Sequence, residues 1–220
     1  VSSAEHVKIN LSTLSFPAAC FSGTGLDPFQ LRDVVPYLED GSIQKIVEFG
    51  SGSSTEFFLT LRAMYNLPFS LDSFDHSQEY CFKPSQDYHD FNLRLRPLMQ
   101  YTDEEFDQIL EGADIPPGQF LPQDQYNNFR AHNTFYKIED GDLEEYYDLI
   151  ILDGPNGNGR SIAFRHLRDR VRSGTKIVID DYHHYPFLAQ CHQLLNVRLI
   201  KEQQLPDFHP LHGYAILEVK

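Results

Sequence analysis

Apolar residues in this 220-residue chain gather in short runs, and stretches with helical spacing separate them. Lys45-Ile-Val-Glu-Phe-Gly50 reads as a strand that ends in glycine. After the turn Ser51-Gly52-Ser53, the run from Ser54 to Tyr65 puts Phe57, Phe58, Leu61 and Met64 at helical spacing, with Ser53 or Ser54 as N-cap. Asn66-Leu-Pro68 stops that helix, and Phe69 to Asp75 alternates as a second strand. Strand, glycine turn, helix and strand make a βαβ unit, the building block of parallel sheets. Asn92 to Leu98 predicts a third strand, Tyr147 to Asp153 a buried fourth, Arg160 to Arg172 a helix, and Thr175 to Ile179 a fifth strand. Pro186 opens a helix to about Leu195, and Val197–Gln203 and Tyr214–Val219 lie too close together for a helical crossover. They predict an antiparallel hairpin. The expected fold is α/β, a doubly wound seven-stranded mixed sheet with helices on both faces and a C-terminal hairpin.

Residues 1–220 read as a single domain, with 1–42 as an N-terminal segment supplying a lid or helix. Residues 101–140 fit no βα unit and read as an insertion, a possible substrate element, because loops of that length are usually functional or disordered. The composition, 41% hydrophobic and 13% aromatic, excludes disordered and low-complexity classes. No apolar run approaches a membrane span, and no signal-peptide layout opens the chain, although its first residue is Val and fits a trimmed or longer protein. Cys20, Cys81 and Cys191 have no paired or metal-type spacing, which points to a reducing, cytoplasmic setting.

The net charge of −14 is unevenly placed: residues 101–148 hold 13 acids against Arg130 and Lys137. A nucleic-acid partner would require a basic stripe. The basic cluster Arg160, Arg165, Arg168, Arg170, Arg172 and Lys176 reads instead as a solvated helix face. Neither nucleic acid nor membrane is expected as a partner, and a homo-oligomer is left open.

In doubly wound sheets ligands sit beyond the carboxyl ends of the strands. Here those ends carry Glu48-Phe-Gly50-Ser-Gly52-Ser53-Ser54-Thr55, then Asp75-His76, Asp153 and Asp180-Asp181. The glycines let a ligand approach the backbone, and the helix behind them offers free N–H groups to an anion. Glu48, an acid within an apolar strand, must be bonded to something. A carboxylate such as Asp75 can accept both hydroxyls of a ribose.

Val47-Glu-Phe-Gly-Ser-Gly-Ser-Ser-Thr55 resembles the acid-x-G-x-G motif of the class I S-adenosylmethionine-dependent methyltransferases. Ser73-Phe-Asp75-His76 resembles the ribose motif of the same family. Asp148-Leu-Ile-Ile-Leu-Asp153-Gly-Pro155 and Gly174-Thr-Lys-Ile-Val-Ile-Asp-Asp181-Tyr182 are similar to its fourth and fifth strands, so the likeness spans roughly 43 to 220. Ser54 replaces the usual third glycine.

The resemblance implies S-adenosylmethionine as cofactor. Asp75, with His76, would hold its ribose; Gly50 and Gly52 would line its methionine part, and Ser53, Ser54 and Thr55 would lie near its carboxylate. Glu48 would orient the loop, Leu98 would lie near the adenine, and Asp153 would border the site. Some small-molecule O-methyltransferases of this class place an Asp after the fourth strand and an acidic pair after the fifth. By that likeness Asp153, Asp180 and Asp181 are candidate ligands of Mg²⁺ or Mn²⁺. Asp180, Asp181, His183 and His184 are the candidate catalytic residues, one histidine being a base or a further ligand. Tyr126, Phe129, Phe135 and Tyr136 either wall an acceptor or form a satellite core. His89, His166 and His192 read as helix-face residues, and His209 and His212 as solvent-facing.

The expected reaction is methyl transfer to a small-molecule acceptor, more readily at a hydroxyl oxygen than at nitrogen. One alternative is a saccharide or polysaccharide methyltransferase, since Gly159-Arg-Ser-Ile-Ala-Phe164 faintly resembles the plant glucuronoxylan methyltransferases. The others are an NAD(P)-dependent oxidoreductase and a non-catalytic cofactor-binding domain.

Overall fold

The computed structural model describes residues 8–10, 25–85, 87–126, 132–205 and 212–220. Cys20, Phe129, His209 and most of residues 1–24 lie outside them. The central strands are β1 (Lys45–Phe49), β2 (Ser70–Asp75), β3 (Phe91–Leu95), β7 (Leu149–Leu152), β8 (Lys176–Asp180), β9 (Val197–Gln204) and β10 (Gly213–Val219). The shorter strands β4 (Leu98–Gln100), β5 (Gln119–Phe120) and β6 (Thr134–Tyr136) form a second sheet. The helices are α1 (Pro28–Glu39), α2 (Ser53–Tyr65), α3 (Asp103–Leu110), α4 (Ile162–Leu167) and α5 (Phe187–Leu194).

The main sheet runs β3-β2-β1-β7-β8-β10-β9. The first five strands are parallel, and β10 is antiparallel to both neighbours, which realises the expected hairpin. Strand alternation feeds two cores. Val47, Phe49, Phe74, Ile150, Leu152, Ile177 and Ile179 pack against α4, α5 and the second sheet. Ile46, Leu71, Leu149, Ile151, Val178 and Tyr214 face α1 and α2. Burial on both faces explains why β1, β7 and β8 read as nearly unbroken apolar runs. The strand order reverses between β1 and β7, so the crevice at their carboxyl ends is the switch point.

Several sequence expectations change, and His89 lies in the turn before β3 rather than on a helix face. The predicted third strand breaks at Arg96-Pro97, since proline has no N–H to continue the ladder, and Leu98 to Gln100 joins the second sheet instead. The predicted helix from Arg160 to Arg172 shrinks to α4 behind a 3-10 turn at Asn158–Ser161. The carbonyl of Arg170 leaves the helix to accept from the Tyr147 amide (2.9 Å). Gly52, rather than Ser53 or Ser54, is the N-cap of α2. His212 is buried, near Asp27, rather than solvent-facing.

The insertion is built rather than loose over its described residues. Thr102 caps α3 by accepting from the Glu105 amide (3.2 Å), while the Glu105 carboxylate accepts from the Thr102 amide (2.8 Å). Phe106, Ile109, Leu110, Leu121, Phe135 and Tyr136 all enter the main core. The acids of the 101–148 stretch are partly neutralised by bases elsewhere: Asp142 pairs with Arg96, Glu144 with Lys45, Asp114 with Arg165 and Asp148 with Arg172.

Candidate active site

β1 delivers Glu48 to the crevice with none of its surface exposed. The hydroxyls of Ser54, Thr55 (2.5 Å) and Ser73 (2.7 Å) donate to its carboxylate, from α2 and from β2. Glu48 of β1 thus ties the first turn of α2 to β2. Burial outweighs these donors and pushes its pKa up to about 7. The Gly52 amide donates to Thr55 Oγ1 (2.9 Å), closing the turn. Ahead of it, the first-turn amides of α2 have no carbonyl partner within the helix.

Asp75 ends β2, buried, with both oxygens engaged. Oδ1 accepts from the amides of His76 (2.7 Å) and Ser77 (2.9 Å), and Oδ2 from the amide (3.1 Å) and hydroxyl (2.7 Å) of Ser51. The Ser51 hydroxyl in turn accepts from the Phe82 amide (2.9 Å).

His76 borders a cavity of about 280 Å³ with Ser77, Gln78, Glu79, Tyr80, Gln123 and Tyr126. Its Nδ1 is buried without a hydrogen-bond partner, and its ring stands edge-on to Tyr126 at 5.1 Å. Burial lowers the His76 pKa against the opposing pull of Asp75. Tyr126 of the insertion thus lies on the Asp75 side of the crevice. Phe135 and Tyr136 are core residues, and Tyr136 stacks on Phe49 at 6.0 Å. Leu98 is 1% exposed in that core, paired with Tyr136 across the second sheet, rather than open to the crevice.

Beyond β7 and β8, Asp153 and Asp180 are hydrogen-bonded to each other, Asp180 buried and Asp153 half-buried. Burial and the neighbouring Asp180 raise Asp153, while burial and then Asp181 push Asp180 up to about 6. Gln30 of α1 donates from Nε2 to Asp180 Oδ1 (2.5 Å). Arg160, 5% exposed, donates from Nη1 to the Asp180 carbonyl (2.8 Å) and from Nε to the Pro155 carbonyl (3.2 Å). Arg160 is therefore a buried partner of the strand ends, not part of a solvated basic face.

Asp181 occupies a left-handed position (φ 50°), its amide donating to the Gly213 carbonyl (2.7 Å) and its carboxylate 3.7 Å from His184 Nδ1. His183 and His184 are exposed on the following turn, their rings 4.6 Å apart. Asp153 and Asp180 thus come together, whereas Asp181, His183 and His184 form a separate, outer group. Among the described residues no group of three or more His, Cys, Asp or Glu converges to hold a metal ion. The Gln30 amide donor on Asp180 does not fit a divalent cation, whose shell is built of oxygen ligands.

Two contributors were not anticipated. Gln30 had a signal, since Asp27-Pro-Phe-Gln30 is an Asp-x-x-Gln N-terminus signature, and the structure shows that capping box. Arg160 had none, being masked by the neighbouring arginines.

No protein-family profile and no curated protein matches the chain. Solved structures do. An O-methyltransferase from Bacillus cereus, in complex with S-adenosylhomocysteine, superimposes with a TM-score of 0.52 at 11% identity, covering 95% of this chain and 94% of its own. A candidate O-methyltransferase from Klebsiella pneumoniae gives 0.50 at 12% identity, over 93% and 84% of the two chains. The chain has the class I methyltransferase fold.

Proposed function

We propose that the protein transfers a methyl group from S-adenosylmethionine to a small-molecule acceptor, at a hydroxyl oxygen. The observation that carries this reading is the open face of the glycine turn between the first turn of α2 and Asp75, at the switch point of a class I methyltransferase sheet. Both similar structures are described as O-methyltransferases, which supports it. The antiparallel β10 distinguishes this sheet from the parallel dinucleotide-binding fold, which disfavours the oxidoreductase reading.

In this reading the donor supplies a good leaving group at its sulfonium, so the chain's task is largely placement. The α2 amides and the glycine turn take the methionine end, Asp75 the ribose, and the His76–Tyr126 cavity the base. The acceptor oxygen must lose its proton as the new bond forms, and the exposed His183–His184 turn is proposed to receive it. A reducing, cytoplasmic setting is in keeping with the buried free thiols of Cys81 and Cys191. No helix of the described residues is long and apolar enough to cross a membrane.

Calorimetry with S-adenosylhomocysteine tests the donor assignment. Saturable binding is expected, with no competition from NADH. A folded protein that binds no S-adenosylhomocysteine at millimolar concentration would sink the proposal.

A further inference from the structure

The strand-end acids that would ordinarily invite a cation are closed off from an unexpected direction. Gln30 lies at the third position of α1, 150 residues from Asp180 in sequence. Its side chain is held at both ends: Oε1 accepts from the Asp27 amide (2.7 Å), and Nε2 donates to Asp180 Oδ1. The Asp27 carboxylate fixes this turn by accepting from the amides of Phe29 (2.7 Å) and Gln30 (3.0 Å). An amide anchored in this way cannot turn its oxygen toward a cation without losing the helix cap. It presents N–H, a group that repels a metal ion, to the one carboxylate best placed to bind it.

Other groups crowd the pair as well. Asp153 is bonded to Asp180, and the backbone at Gly25 lies against Asp153, so that a Cβ there would stand 3.0 Å from Asp153 Oδ2. Arg160, holding the Asp180 carbonyl, brings a positive charge to the same spot. Mg²⁺ and Mn²⁺ favour octahedral oxygen shells, and Mg²⁺ usually keeps several of its waters. An amide donor, a guanidinium and the Gly25 backbone against these acids oppose such a shell.

We propose that Gln30 is a positioning residue that takes the place of a divalent cation: it docks the start of α1 onto Asp180, and methyl transfer proceeds without a metal. This rests on the methyltransferase reading, but its principal test does not. Mn²⁺ is titrated into the full chain and the free-ion signal followed by electron paramagnetic resonance. The wild-type protein is expected to leave that signal unchanged. Gln30→Glu, which replaces the amide donor by an acceptor, is expected to gain uptake that is lost again when Asp180→Asn is added. A purely structural Gln30 would not produce that gain.

Stoichiometric Mn²⁺ uptake by the wild type, abolished by Asp180→Asn alone, overturns the proposal. Failure of folded Gln30→Glu to take up Mn²⁺ removes Gln30 from the role assigned to it. S-adenosylhomocysteine calorimetry in EDTA separates the two readings. Binding that appears only after Mg²⁺ or Mn²⁺ is added overturns the metal-free inference alone. No binding under either condition overturns the donor assignment and leaves the Mn²⁺ result standing.

Discussion

Gly50→Ala is expected to destabilise the protein by roughly 3 kcal/mol or more, whereas Gly52→Ala, two residues on, is expected to fold almost as the wild type. Gly50 has φ +99°, and a Cβ there would lie 2.7 Å from the backbone nitrogen of Gly154. The obstacle is main chain, and the two loops in contact flank the switch point, so relief means pulling the β1 and β7 ends apart. The backbone conformation alone accounts for about 1–3 kcal/mol, and the contact adds to it.

Gly52 differs: a Cβ there meets nothing within 4 Å. Losing glycine from the N-cap of α2 costs about 1 kcal/mol or less. Yet that open space is where the proposed donor approaches the turn. Gly52→Ala is thus expected to weaken S-adenosylhomocysteine at least tenfold, about 1.4 kcal/mol, with little change in unfolding. Urea unfolding and calorimetry on the two variants check both halves. Wild-type affinity in Gly52→Ala would move the ligand off the glycine turn.

The contrast within one G-x-G motif shows where sequence reading ends. Spacing alone gives both glycines the same reason for being there. Only the crossing of Gly50 over Gly154 reveals that one serves the fold, while the other faces open space. Strands β1, β7 and β8 were legible because burial on both faces of a parallel sheet writes apolar runs, and β2 because its residues alternate. Strands β4, β5 and β6 are two or three residues long, too short for any period to register. The insertion therefore looked like a loop, although its apolar residues complete the core over Phe49 and Phe74. Glu48 announced a need for partners, and its neighbours Ser54 and Thr55 supply two of them. The contacts that close Asp180 could not be anticipated, because Gln30 and Arg160 reach it from distant points in the chain. Side-chain clusters at strand ends depend on which loops overlie them, and spacing carries no information about that.

Glu48 leads to the second large effect. Its carboxyl is wholly buried, and its pKa stands at about 7 against an ordinary 4.5. A folded-state pKa above the unfolded value means that the native protein binds the proton more tightly. Stability from this group is therefore fully present below about pH 4.5 and is lost as pH rises to about 7. The full span corresponds to roughly 3 kcal/mol.

Glu48→Gln is expected to remove that slope while keeping the cluster intact. The amide oxygen can accept from Thr55 and Ser73, which share Glu48 Oε2, and the amide nitrogen can donate to Ser54. Asp153 and Asp180 have raised values for the same reason and contribute slopes of the same sign. The quantity to measure is therefore the difference between wild type and variant, not the wild-type profile alone. Urea unfolding at pH 5 and pH 8 supplies it: the variant should gain relative to wild type as pH rises, by an amount approaching that span. Parallel profiles would mean that the three hydroxyls hold Glu48 ionised throughout, with its partners outweighing its burial.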